Sequence, residues 1–108
     1  MKYQVITQPP AEQDIRSSLA WGRDHWGGEQ ARKWAQGLRK AIASLSTFPE
    51  RYPLAPQLEQ QELGLEVRQM VFQRYRILFT IKSNSVHVLH VRGSFTGEAG
   101  EEELEEQT

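Results

Sequence analysis

Leu65-Glu66-Val67-Arg68-Gln69-Met70-Val71-Phe72-Gln73-Arg74-Tyr75-Arg76-Ile77-Leu78-Phe79-Thr80-Ile81 changes sides at every residue, the period of an extended chain rather than a helix. Leu65, Val67 and Val71 oppose Glu66, Arg68 and Met70; beyond Gln73-Arg74, Tyr75, Ile77, Phe79 and Ile81 oppose Arg76, Leu78 and Thr80. After Ser83-Asn84-Ser85, Val86 and Val88 oppose His87, Leu89 and Val91. Three strands joined by two short turns form an antiparallel meander.

Upstream the period lengthens. Lys2 to Thr7 alternates and reads as a first strand, and Pro9-Pro10 with Glu12 and Asp14 is helix-start chemistry. Ala11, Ile15, Leu19, Gly22 and Trp26 step by four or three along one stripe, and Gly27-Gly28 ends it. A second stripe follows in Ala31, Trp34, Leu38, Ala41 or Ile42, and Leu45. Helices joined so closely lie antiparallel, and Trp21, Trp26 and Trp34 at helical spacing are packing residues before they are a cofactor box. Phe48-Pro49-Glu50-Arg51-Tyr52-Pro53-Leu54-Ala55-Pro56, with prolines every three or four residues, reads as an extended connector. The predicted class is α+β, in the order β-α-α-β-β-β, an antiparallel sheet with an N-terminal helical hairpin packed on one face.

At 108 residues the chain has room for one core. No cysteine is present, which excludes disulfides and thiolate metal sites and suits a reducing, cytoplasmic setting. The start shows no secretion-signal pattern, and no apolar run approaches the length of a membrane helix. Three scattered histidines make a zinc site improbable, and neither a phosphate loop nor a nucleophile elbow is present, so no cofactor or metal is expected. The net charge of −1 hides an asymmetry: residues 98–108 hold six of the 14 acidic groups, leaving a body with 13 basic and eight acidic side chains. That body, residues 1–97, is expected to be the working domain. Residues 98–108 are expected to be an acidic disordered tail, either a solvated end or, in a sharper reading, a shield over the basic body.

Phe48-Pro49-Glu50-Arg51-Tyr52-Pro53, Glu66-Val67-Arg68-Gln69-Met70, Tyr75-Arg76-Ile77-Leu78-Phe79 and Val86-His87-Val88-Leu89-His90-Val91-Arg92, in this order, resemble the RelE/ParE toxin superfamily. Thr7, Glu12 and Asp14-Ile15 fit the same pattern, and the likeness spans roughly residues 3–95. It implies a toxin of a type II toxin–antitoxin system that uses the open face of its sheet against a target and is silenced by a cognate antitoxin wrapped over its body. ParE-like members disable DNA gyrase; RelE-like members cut messenger RNA on the ribosome; a non-toxic relative that only binds antitoxin is a third alternative. No membrane partner is implied.

In a nuclease of this kind a 2′-hydroxyl attacks the neighbouring phosphate, which needs a base, positive charge on the oxygens and an acid for the leaving group. Arg76 matches the arginine that RelE-like members place near the phosphate, and Arg68 is the one basic residue on the preceding strand able to assist it. A turn at Phe72-Gln73-Arg74 would put Arg68, Met70, Arg76 and Leu78 on one face, joined by His87, Leu89 and Val91. His87 and His90 are candidate proton carriers, although each is more often a satisfied strand histidine. After Arg92 no titratable group appears until Glu98, so the acid and base of the RelE-like members lack counterparts. That gap favours the gyrase inhibitor. For target or antitoxin binding the candidates are Arg68, Arg74, Arg76, Arg92 and Phe95.

Overall fold

The structure, a computed structural model, describes residues 2–93. Strand β1 (Gln4–Thr7) leads into helix α1 (Pro9–Trp26) and helix α2 (Gly28–Ala43); two short 3-10 turns, Ser44–Ser46 and Pro49–Arg51, precede helix α3 (Gln57–Leu63), and strands β2 (Arg68–Phe72), β3 (Tyr75–Lys82) and β4 (Ser85–Gly93) close the order. Phe95 and the acidic tail lie outside the described residues. The connector is therefore less extended than its prolines suggest. Pro49 begins a 3-10 turn, and the chain then coils into α3, a helix whose Glu- and Gln-rich sequence carries no apolar stripe to announce it.

Both long helices form where the stripes require. Prolines occupy the first two positions of α1, where their missing N–H groups cost nothing, and Gly27 ends it at φ 96°, a conformation few side chains tolerate. Ala11, Ile15 and Gly22 of α1 and Ala31, Trp34, Leu38 and Ile42 of α2 are buried. Trp26 leaves its predicted stripe, remaining 40% exposed while its ring covers Gly22. The tryptophans form a chain of edge contacts, Trp21 to Trp26 at 5.4 Å and Trp26 to Trp34 at 6.2 Å, which reaches the sheet through Trp34 and Tyr75 at 4.9 Å.

The sheet runs β1-β4-β3-β2. The meander is antiparallel as expected, but β1 lies parallel to β4, so the sheet is mixed. Periodicity identifies strands, not neighbours: the hairpin and the connector carry the chain from β1 to β2 at the opposite edge, and the meander then brings β4 back beside β1 as a parallel partner. The hairpin packs on one face, where Ile77, Phe79, Val86, Val88 and Val91 meet Ile15, Trp34, Leu38 and Leu45. A smaller apolar cluster of Ala55, Val67 and Leu78, flanked by Leu63, Leu65 and Leu89, sits apart from it. Helix α3 borders this second cluster, so the face expected to be open carries a short helix of its own.

Two details of register decide which side chains share that face. Phe72 pairs with Tyr75, making Gln73-Arg74 a two-residue turn with Gln73 at φ 55°, one residue tighter than a Phe72-Gln73-Arg74 turn. Arg76 therefore opposes Val71, Leu78 opposes Gln69, and Arg68 opposes Phe79. This slip separates Arg68 and Met70 from Arg76 and Leu78, because alternate residues change sides. The second detail is an irregularity at Leu78/Phe79: Leu78 pairs with His90 but Phe79 with Val88, leaving Leu89 as the extra residue. That bulge turns Val91 into the core beside Val88, away from the face predicted for it.

Candidate functional site

Arg76 on β3 and Arg92 on β4 are cross-strand partners. Like charges set opposite one another repel, and this pair is neutralised from above by α3. Arg76 donates through Nη1 to Glu59 Oε1 at 2.8 Å and through Nη2 to Oε2 at 2.7 Å, a two-pronged bond, while Arg92 Nη1 donates to the same Oε2 at 2.7 Å. Gln69 Oε1 accepts a further bond from Arg76 at 2.8 Å, and Glu62 stands 3.3 Å from Arg92. All three principal side chains are largely shielded, at 22% exposure for Arg76, 28% for Arg92 and 13% for Glu59. Hydrogen bonding from Arg76, with that from Arg92, outweighs desolvation and holds the Glu59 carboxyl below its ordinary range; the same bond raises Arg76.

Arg68 is elsewhere. Its Nη1 donates to the carbonyls of Tyr52 at 2.7 Å and Glu50 at 3.2 Å, fastening the connector to the edge of β2. Backbone bonds from Gln69 to Pro53 and from Ala55 to Val67 complete that seam. Arg68 and Arg76 thus do not form one site, contrary to the face-sharing expected from sequence.

The histidines are also committed to separate partners. The side-chain amide of Gln8, just past β1, lies 2.8 Å from His87 Nδ1. His90 Nδ1 lies 3.0 Å from Asp14 Oδ2 on α1, an oxygen that also accepts the Val91 N–H. Arg74 occupies the β2–β3 turn and lines a cleft with Trp21, Trp26, Gln73 and Tyr75. A neighbouring cleft of about 750 Å³ is lined by Trp26, Gln30, Lys33, Trp34, Gly37, Phe72 and Gln73. Among the described residues, no group of three or more His, Cys, Asp or Glu is placed to hold a metal ion, and no helix is long and apolar enough to cross a membrane.

Of the candidates read from sequence, then, the structure joins Arg76 with Arg92 and disperses Arg68, Arg74, His87 and His90. Glu59 and Gln69, which complete the arginine site, were not among those candidates. Glu59 and Glu62 had one visible signal: carboxylates three apart share a helix face. Seeing it required knowing that residues 57–63 are helical.

The arrangement of a four-stranded sheet backed by a helical hairpin is matched by known proteins. The family described as the ParE toxin of type II toxin–antitoxin systems, parDE, matches residues 5–94. The chain belongs to the ParE toxin family. A solved structure titled "Chromosomal ParDE TA system from P. aeruginosa" is similar in fold, with a TM-score of 0.72 and 14% identity, covering 85% of this chain and 96% of that one. No curated protein matches the sequence significantly. In this ParE-family chain the arginine pair and the α3 carboxylate that binds it lie inside the matched region.

Proposed function

We propose that this chain is a growth-inhibiting toxin that acts inside the bacterial cell by binding DNA gyrase, that a cognate antitoxin neutralises it, and that residues 1–97 suffice for both. The occupation of Arg76 supports binding over catalysis. An RNA-cleaving site needs its arginine available to the phosphate and an acid or base within hydrogen-bond reach of the reacting oxygens. Here Glu59 takes the prongs of Arg76 that a phosphate would use, and His87 and His90 point to Gln8 and Asp14. The antitoxin is expected to be a small protein whose flexible arm covers the basic body and folds as it binds. Trp21 and Trp26, each about two-fifths exposed beside the aromatic clefts, offer it apolar anchors.

Purified protein should block supercoiling by purified gyrase and leave messenger RNA intact on translating ribosomes, and the antitoxin should relieve the block. Unimpaired supercoiling together with ribosome-dependent cleavage lost in Arg76→Ala would replace this reading by the nuclease one. Unimpaired supercoiling with intact RNA and harmless overexpression would leave only the antitoxin-binding relative.

A further inference from the structure

Helix α3 is seven residues long and none of its residues is fully buried. A helix of that length has no stability of its own in water. It is held by few attachments: the Glu59 and Glu62 ion pairs, Leu63 at the rim of the Ala55, Val67 and Leu78 cluster, and a bond from the Gln60 side-chain amide to the Ala55 carbonyl at 3.0 Å. Pro56 precedes it and Gly64, at φ 73°, ends it. Glu59 and Leu63 are four residues apart and so lie on one side of the helix, the spacing by which an amphipathic helix presents paired anchors. Leu58 points outward and is 78% exposed.

The sheet beneath is built to receive those two anchors. Arg76 and Arg92 repel one another unless a carboxylate lies between them, and Leu78 beside Arg76 needs an apolar cover. Val71, the cross-strand partner of Arg76, continues this face toward the β2 edge of the sheet and is 62% exposed. A helix longer than α3 therefore has more apolar surface to cover than α3 covers.

We propose that this face is a docking site for a helical segment of a partner protein bearing a carboxylate and, four residues later, a leucine or similar aliphatic side chain, and that α3 occupies the site in cis as a resident competitor. The exchange replaces carboxylate by carboxylate and leucine by leucine, so it leaves no unpaired shielded arginine, the costly outcome of simply breaking such a pair. Tethering gives α3 an effective concentration of order millimolar, which the partner segment must exceed in affinity. The inference concerns the face and not the target, and it stands or falls independently of gyrase inhibition.

The test is an NMR titration of the full chain with a capped peptide of residues 56–64, in wild type, Glu59→Gln and Arg76→Gln. Glu59→Gln, whose own helix no longer bridges the arginines, should bind the peptide about tenfold or more tightly than wild type, the worth of a charge-assisted bond. The amide shifts should centre on Arg76, Leu78 and Arg92. Arg76→Gln should not bind it, and neither should any form bind the same peptide carrying Glu59→Gln. Leu63→Ala, which loosens α3 without unpairing the arginines, should show the same gain and stands in if Glu59→Gln does not fold. Equal affinities in wild type and the loosened variant, no shifts at those amides at about 5 mM peptide, or equal shifts with the altered peptide would each overturn the proposal.

Discussion

Asp14, on the second turn of α1, accepts the backbone N–H of Val91 on β4 at 2.9 Å. Strand β1 covers β4 only from Ser85 to Val88, so further along β4 an outward N–H has no strand to meet. A helix carboxylate takes that role, and the same oxygen lies 3.0 Å from His90. Asp14 thus joins the hairpin to the sheet at the point where the bulge redirects β4.

Asp14→Ala should therefore destabilise the chain by about 1–3 kcal/mol, the cost of leaving a partly buried N–H unsatisfied. Asp14→Asn, which keeps an acceptor oxygen, should recover part of that loss. Urea unfolding followed by circular dichroism measures both, and a silent Asp14→Ala would show that solvent replaces the carboxylate.

The Glu59 bridge carries a dependence on pH. Its carboxyl titrates below the ordinary range when folded, chiefly through hydrogen bonds from Arg76, so its stabilising contribution is complete above the unfolded-state value of about 4.3 and disappears as pH falls through the lower folded value. The Glu12 carboxyl, lowered by its bonds to Arg39, acts in the same direction. Urea midpoints recorded between about pH 6 and pH 2 should fall on acidification, and the slope should flatten in Glu59→Gln. An unchanged slope would remove Glu59 from the acid response.

Gly37 is where α2 gives way to the sheet. A Cβ there would come within 2.9 Å of Phe72 Cζ, closer than packed carbons sit. Gly37→Ala should destabilise by about 1–3 kcal/mol from overpacking, lessened by alanine's helix advantage of about 1 kcal/mol. Phe72→Leu in the same chain should restore much of the loss, which thermal unfolding of the single and double variants would reveal.

Arg68 holds the connector and not the arginine pair. Arg68→Ala should cost about 1–2 kcal/mol, chiefly through the part-buried bond to the Tyr52 carbonyl, since water can satisfy the exposed Glu50 carbonyl. It should also speed proteolysis between Thr47 and Ala55 while leaving the amide resonances of Arg76 and Arg92 in place. Resonance changes centred on Arg92 would instead tie Arg68 to the pair.

Much of the fold was legible because two periods of hydrophobicity are local properties. Ala11 and Ile15 on one helix, Trp34 and Leu38 on the other, and Ile77 and Phe79 on a strand are buried where their spacing placed them. The site was legible in part. Arg76 and Arg92 were both named, but their partnership with each other, and with Glu59, arises between residues 16 to 33 positions apart. The Arg68–Arg76 pairing failed on a single residue of turn length, since one slip reverses a strand's faces.

Composition and spacing alone determined the α+β class, the helical hairpin and the three-stranded meander, because burial periodicity depends only on near neighbours along the chain; the likeness to a toxin superfamily rested instead on particular stretches such as Phe48–Pro53 and Tyr75–Phe79. Tertiary structure decided that β1 runs parallel to β4, that a bulge at Leu89 turns Val91 inward, and that Glu59 lies between two arginines. Those outcomes depend on which distant segments meet and in what register, and a one-residue change in register costs little to write in sequence yet exchanges every side chain between the two faces of a strand.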